Sequence, residues 1–162
     1  MARTAGGIGA MKVSSRGEYG VRAMVALAKH HGQGPMSIAA VSKSSAIPAA
    51  YLEQLIGPLR RAGLVESRRG ARGGYQLTRS PELVRVGEVY RVMEGPVAPM
   101  DCVSEDLSEQ TCPLIDGCET RPVWVRMRDA IVDSLDSMTL ADLIAQSPRR
   151  AAAPRAVPQS IP

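Results

Sequence analysis

Cys102, Cys112 and Cys118 all fall within one stretch, DCVSEDLSEQTCPLIDGCET (101–120), separated by nine and then five residues. Pro113 and Gly117 disfavour a continuous helix there, so the stretch reads as a loop folded around something. An odd cysteine count in a chain with no secretory pattern argues against a structural disulfide. The neighbouring carboxylates should raise the thiol pKa values, which disfavours activated nucleophiles. A bound cation reverses that logic, because it deprotonates thiols outright. The stretch therefore reads as a ligand set for zinc or an iron–sulfur cluster. Ordinary buried cysteines are the plainer alternative, weakened by how few apolar neighbours this polar loop offers them. A thiol enzyme or redox carrier fits less well: there is no CxxC and no convincing Cys–His pair.

The second concentration of chemistry is basic. Residues 60–79 hold six arginines (60, 61, 68, 69, 72 and 79) against one acid, Glu66, whereas residues 101–120 hold six acids and no Lys or Arg. The net charge of +4 decides little, but this division suggests nucleic-acid binding beside a separate task. Phenylalanine is absent and aromatics make up 3% of the chain, so single-strand binding through stacked aromatic rings is disfavoured. There is no apolar run of membrane-spanning length and no signal-peptide core, and the expected compartment is a reducing cytoplasm.

The elements that would position these groups centre on Met36 to Leu77. Ser37 is a suitable N-cap, with Met36 and Val41 spaced as a hydrophobic staple, and Ser44-Ser45 ends the first helix in a turn. Pro48 suits the first position of a second helix. Leu52, Leu55, Ile56 and Leu59 give that helix a buried stripe, and Gly63 can close it in a left-handed cap. Pro58 should kink it or shorten its regular part. Leu64-Val65 and Tyr75-Gln76-Leu77 can pair as a hairpin around RRGARGG. The arrangement is a winged helix-turn-helix with the polar face of the second helix free for a major groove.

Upstream, Ser15 and Glu18 are spaced as a capping-box pair for a helix over about 16–31, with Val21, Met24, Val25 and Ala28 inward. His30 and His31 fall in its last turn, where a helix C-terminus tolerates cations, and carry no assigned chemistry. Downstream, Val86 to Glu94 makes an amphipathic helix stopped by Gly95-Pro96. A long helix starts at Arg121-Pro122, and Trp124, Met127, Ile131 and Leu135 form its apolar stripe. A partner subunit is the economical cover for that stripe, and packing on its own domain is the alternative. Thr139 can cap a short helix over Leu140 to Ala145. The expected organisation is a disordered extension (1–10, with Met11 a candidate start), a DNA-binding domain (11–95) and a cysteine loop (96–120). A dimerisation helix with a short C-terminal helix (121–146) and a disordered tail (147–162) complete it. The fold class is mainly α with a small β-wing.

Taken together, MKVSSRGEYGVRAMVALA, YLEQLIGPLRRAGLVESRRGARGGYQL, VGEVYRVMEG, the three cysteines, Trp124 and LDSMTLADL resemble the bacterial Rrf-type winged-helix regulators. That family includes IscR- and NsrR-type members, and the resemblance runs from Met11 to about Ile144. It implies a non-enzymatic homodimer that reads a palindromic operator in double-stranded DNA. It also implies that Cys102, Cys112 and Cys118 ligate a two-iron or four-iron iron–sulfur cluster that senses iron–sulfur status, redox state or nitric oxide. The nine-residue gap between the first two cysteines is longer than in either type. The histidine of IscR-type members is replaced by Arg121, which cannot ligate. In NsrR-type members a carboxylate of the partner's first helix serves instead, and Glu18 occupies that place. Tyr51, Glu53 and Gln54 match the recognition-helix contacts, and Arg69 matches an arginine that reaches base edges or the minor groove, with Arg68 and Arg72 beside it on the wing. Pro48-Ala49-Ala50 departs from the Ser-rich start of the IscR-type helix. The alternative is a regulator of the same fold that holds zinc, or acts through thiol oxidation or a partner protein.

Overall fold

The computed structural model describes residues 13–70, 72–106, 112–113, 115 and 117–146. The expected terminal extensions at 1–10 and 147–162 lie outside these residues, as does most of the interior of the cysteine loop. The elements run α1 (Ser15–Lys29), α2 (Ile38–Ser45), α3 (Ala49–Arg61), β1 (Val65–Arg68), β2 (Gly74–Leu77), α4 (Val86–Glu94), α5 (Arg121–Ser137) and α6 (Leu140–Gln146). Short 3-10 turns occupy Pro81–Leu83 and Asp101–Val103. This is the mainly α fold with a β-wing that the pattern predicts.

The helix-turn-helix forms for the stated reasons, with small shifts. Ser37 caps α2 by accepting the Ala40 N–H at 3.2 Å. The helix runs through Ser45 and ends at Ala46, which takes the left-handed conformation at φ 54°, so the turn follows the serine pair instead of consisting of it. Pro48 is extended (φ −55°, ψ 134°) and stands just before α3. Leu52, Leu55, Ile56 and Leu59 are all buried against Met24 and Val41, each such side chain contributing about 1.5–3 kcal/mol by area. Pro58 neither ends nor shortens α3, which continues to Arg61. The N–H it lacks would have met the Gln54 carbonyl, and Gln54 is exposed, so water can replace it. At the C-terminus Gly63 has φ 71°. Its N–H donates to the Arg60 carbonyl and the Leu64 N–H to the Leu59 carbonyl, both at 3.0 Å, closing the helix in a Schellman motif.

The wing is an antiparallel pair with Val65 opposite Leu77 and Arg68 opposite Gly74. Met36 adds an isolated antiparallel bridge on the other edge of β2: it exchanges two backbone hydrogen bonds with Tyr75, both 2.8 Å. A Cβ at Gly74 would overlap the Met36 carbonyl, so this docking requires glycine.

α1 corrects one expectation. Its N-cap is Ser14, whose Oγ accepts the Arg16 and Gly17 N–H groups and donates to Glu94 at the end of α4. Ser15 and Glu18 form no capping box; Glu18 instead faces Arg22 one turn on, at 3.4 Å. Met24 and Ala28 are buried, while Val21 and Val25 are half-buried. Gly17 and Gly20 bring α1 tightly onto α4, where a Cβ would overlap Glu94 and Met93. Between α5 and α6, Thr139 and Asp142 cap reciprocally, at 2.8 and 3.1 Å. The same junction bridges to the start of α4 through Val86 N–H to Met138 and Leu140 N–H to Val84.

Candidate nucleic-acid interface and thiol segment

The stripe that buries α3 leaves Glu53 and Gln54 exposed on its opposite face. Tyr51 is held differently. Its ring is half-buried and meets Tyr19 of α1 edge-on, with centroids 5.6 Å apart. Arg22 lies over the other ring of that pair, 5.3 Å from the Tyr19 centroid, and donates to the Ser45 carbonyl at 2.6 Å. Arg22 and Tyr19 therefore set the recognition helix against α1 and the end of α2. Nothing in the local pattern announces this beyond their place on one face of α1.

Arg68, Arg69 and Arg72 are all exposed on the wing. Glu66, the lone acid among them, is taken up by Arg68 at 3.1 Å and by the Gln76 amide at 2.6 Å. Arg60 and Arg61 add exposed positive charge at the end of α3. The result is exposed polar side chains on a helix and exposed cations on a hairpin, the arrangement a winged helix-turn-helix offers to a duplex.

Cys102 sits in the turn Asp101–Val103, and Cys118 lies three residues before α5 begins. All three cysteines are free and half-buried. The Thr120 hydroxyl lies 3.3 Å from Cys118 Sγ. That hydroxyl, then the Thr120 N–H, holds the Cys118 thiol below its ordinary range. The expectation that nearby carboxylates raise the thiols is thus reversed at Cys118, where direct hydrogen bonds outweigh more distant charge. Three reduced thiols are a fitting donor set for zinc or iron. Among the described residues, however, no three Cys, His, Asp or Glu side chains are gathered closely enough to hold a metal.

α5 has no fully buried residue. Trp124, Ile131 and Leu135 are half-buried, and Met127 is 38% exposed. Ile131 and Leu135 line an apolar groove with Val21, Val86 and Tyr90, and Glu18 stands at its edge. Val123, 60% exposed, extends the uncovered apolar face on the Met127 side. No helix among the described residues is long and apolar enough to cross a membrane.

Comparison with known proteins agrees with this architecture. The Rrf2 family profile, described as an iron-dependent transcriptional regulator, matches residues 13–146. The HTH-type transcriptional regulator CymR of Bacillus subtilis is 42% identical over 133 residues, covering 82% of this chain and 89% of that one. Its structure, described as that of the global cysteine regulator, superposes with a TM-score of 0.69 over 85% of this chain and 98% of its own. T. potens IscR, 40% identical, gives 0.69 over 89% and 95%. An oxidised form of Staphylococcus aureus CymR, 41% identical, gives 0.62 over 82% and 95%.

Proposed function

The chain belongs to the Rrf2 family of transcriptional regulators, and from that premise we propose a homodimeric regulator whose operator binding is controlled by an iron–sulfur cluster on Cys102, Cys112 and Cys118. The observation that carries this reading is an exposed basic wing beside an exposed polar helix face in the same chain as three free thiols. α3 enters the major groove with Glu53, Gln54 and the Tyr51 hydroxyl toward base edges. Arg69 reaches a base edge or the minor groove, while Arg68 and Arg72 meet phosphates. Two chains joined along α5 present two such heads to a palindrome. Glu18, exposed on α1, is the carboxylate available to complete the ligand set from the partner subunit. The cluster, when bound, supplies a group that reacts with oxidant or nitric oxide. The chain's own part is to hold the thiols in register with α4 and α5.

A second reading is favoured by two observations: the described residues do not gather three ligands, and a solved relative is described in an oxidised form. In that reading the thiols respond by oxidation. Anaerobically purified protein separates the two. The cluster reading expects a brown protein with iron and sulfide in equal amounts, and a tenfold or greater difference in operator Kd between cluster-loaded and cluster-free protein, about 1.4 kcal/mol. Equal affinities would sink cluster control.

A further inference from the structure

Arg91 projects from α4 into the angle between α5 and the segment carrying Cys102. Its Nε and Nη2 donate to the Glu105 carboxylate at 3.0 and 2.6 Å. Nη1 and Nη2 donate to Asp136 of α5 at 2.7 and 2.8 Å. One guanidinium thus forks onto two carboxylates, the geometry in which arginine is strongest and most directional. Glu105 lies three residues beyond Cys102. It also accepts the Val97 N–H at 2.8 Å, and its own N–H returns to the Val97 carbonyl at 3.1 Å. The turn holding Cys102 is therefore pinned to α4 through Glu105. Arg128 of α5 adds a weaker tie to the same turn, reaching the Val103 carbonyl at 3.4 Å. Gly87, one turn earlier on α4, leaves the room this needs: a Cβ there would overlap the Asp136 carboxylate.

From α4 the contacts continue to the DNA-binding helices. Glu94 accepts from Ser14 at the start of α1, and Met93 packs against Gly20. Arg22, further along α1, holds the Ser45 carbonyl at the end of α2.

We propose that Arg91 is a positioning residue that couples the thiol segment to the helix-turn-helix. By holding Glu105 and Asp136 on one guanidinium, it makes the seating of Cys102 depend on the angle between α4 and α5, and that angle depend on the seating of Cys102. The proposal rests on reading the cysteines as the sensing site, but not on what they bind. Such coupling is reciprocal: if the thiols influence DNA binding, DNA must influence the thiols.

The test measures alkylation of Cys102 by iodoacetamide in the full chain after iron chelation, located by peptide mass. Rates are compared with and without the duplex recovered by binding-site selection from a random library. In the parent, DNA should change the rate threefold or more. Arg91→Gln should erase that difference while the dimer persists. Arg91→Lys, a point charge that cannot fork onto both carboxylates, should retain part of it. Glu105→Gln, which leaves Arg91 and Asp136 paired, should erase it too, and decides the matter if Arg91→Gln does not fold. Variants that keep the parental ratio, or a parent whose Cys102 ignores DNA, would overturn the proposal. A parent lacking iron and sulfide but retaining the ratio removes the cluster and leaves the coupling standing.

Discussion

Arg68 and Arg72 sit on the same hairpin but differ in their surroundings. Arg68 is partly neutralised by Glu66, whereas among the described residues Arg72 forms no ion pair. In the proposed complex Arg72 presents a full charge to a phosphate, and each phosphate neutralised contributes about 0.9 to the slope of log K against log salt. Arg72→Ala should flatten that slope by about two units in a symmetric dimer and weaken binding similarly across sequences. A salt titration that returns the parental slope would show that the side chain does not touch phosphate. At this scale the chain was readable where chemistry depends on residue type. Arg68, Arg69 and Arg72 and the pair Glu53 and Gln54 are exposed as composition and period suggest, whereas the described residues do not gather the three cysteines into a ligand set. The ring of Tyr51 also packs edge-on against Tyr19, a partner 32 residues earlier that no local pattern announces. The Cys118 thiol was misread in sign, since a hydroxyl two residues away outweighs the carboxylates counted along the chain.

The helices were legible where period and punctuation agree. Val86 to Glu94 and the start of α5 at Arg121 coincide with the reading because a glycine or proline stands at the boundary of each. The capping of α1 was not, because two adjacent serines offer the same local chemistry. Glu94, on a helix that reaches Ser14 across the fold, is what distinguishes them. That contact depends on the close approach of α1 and α4 at Gly17 and Gly20, a feature of packing and not of hydrophobic period. Gly20→Ala places a methyl group against Met93, whose flexible side chain can yield only part of the way. Overpacking of this kind costs about 1–3 kcal/mol, less the several tenths that alanine regains in helix propensity. The urea midpoint should fall while the operator consensus stays the same. An unchanged or raised midpoint would mean that Met93 moves aside freely and the two helices are not closely constrained there.

At the scale of the whole molecule, α5 is a 17-residue helix that its own chain covers only partly. The sequence predicted one apolar stripe through Trp124, Met127, Ile131 and Leu135, but the structure divides it. Ile131 and Leu135 line the groove between α5, α1 and α4, while Met127 faces outward beside Val123. Period alone cannot make this division, since it fixes which residues share a face and not how far the neighbouring helices extend over it. The division also identifies the better probe of assembly. A charge at Ile131 would disturb the groove within one chain as well as any seam between two. Met127 is 38% exposed, so a charge there can reach water in the single chain and its main cost arises if a partner covers it. Met127→Asp should therefore melt as a folded protein yet sediment near the 17.3 kDa of one chain. It should lose tight binding to a palindrome and keep weak, salt-sensitive binding to a half-site, because each head remains intact but the two are no longer linked. A variant that still sediments at twice that mass, with palindrome affinity unchanged, would place Met127 on a free surface and move the subunit seam elsewhere on the molecule.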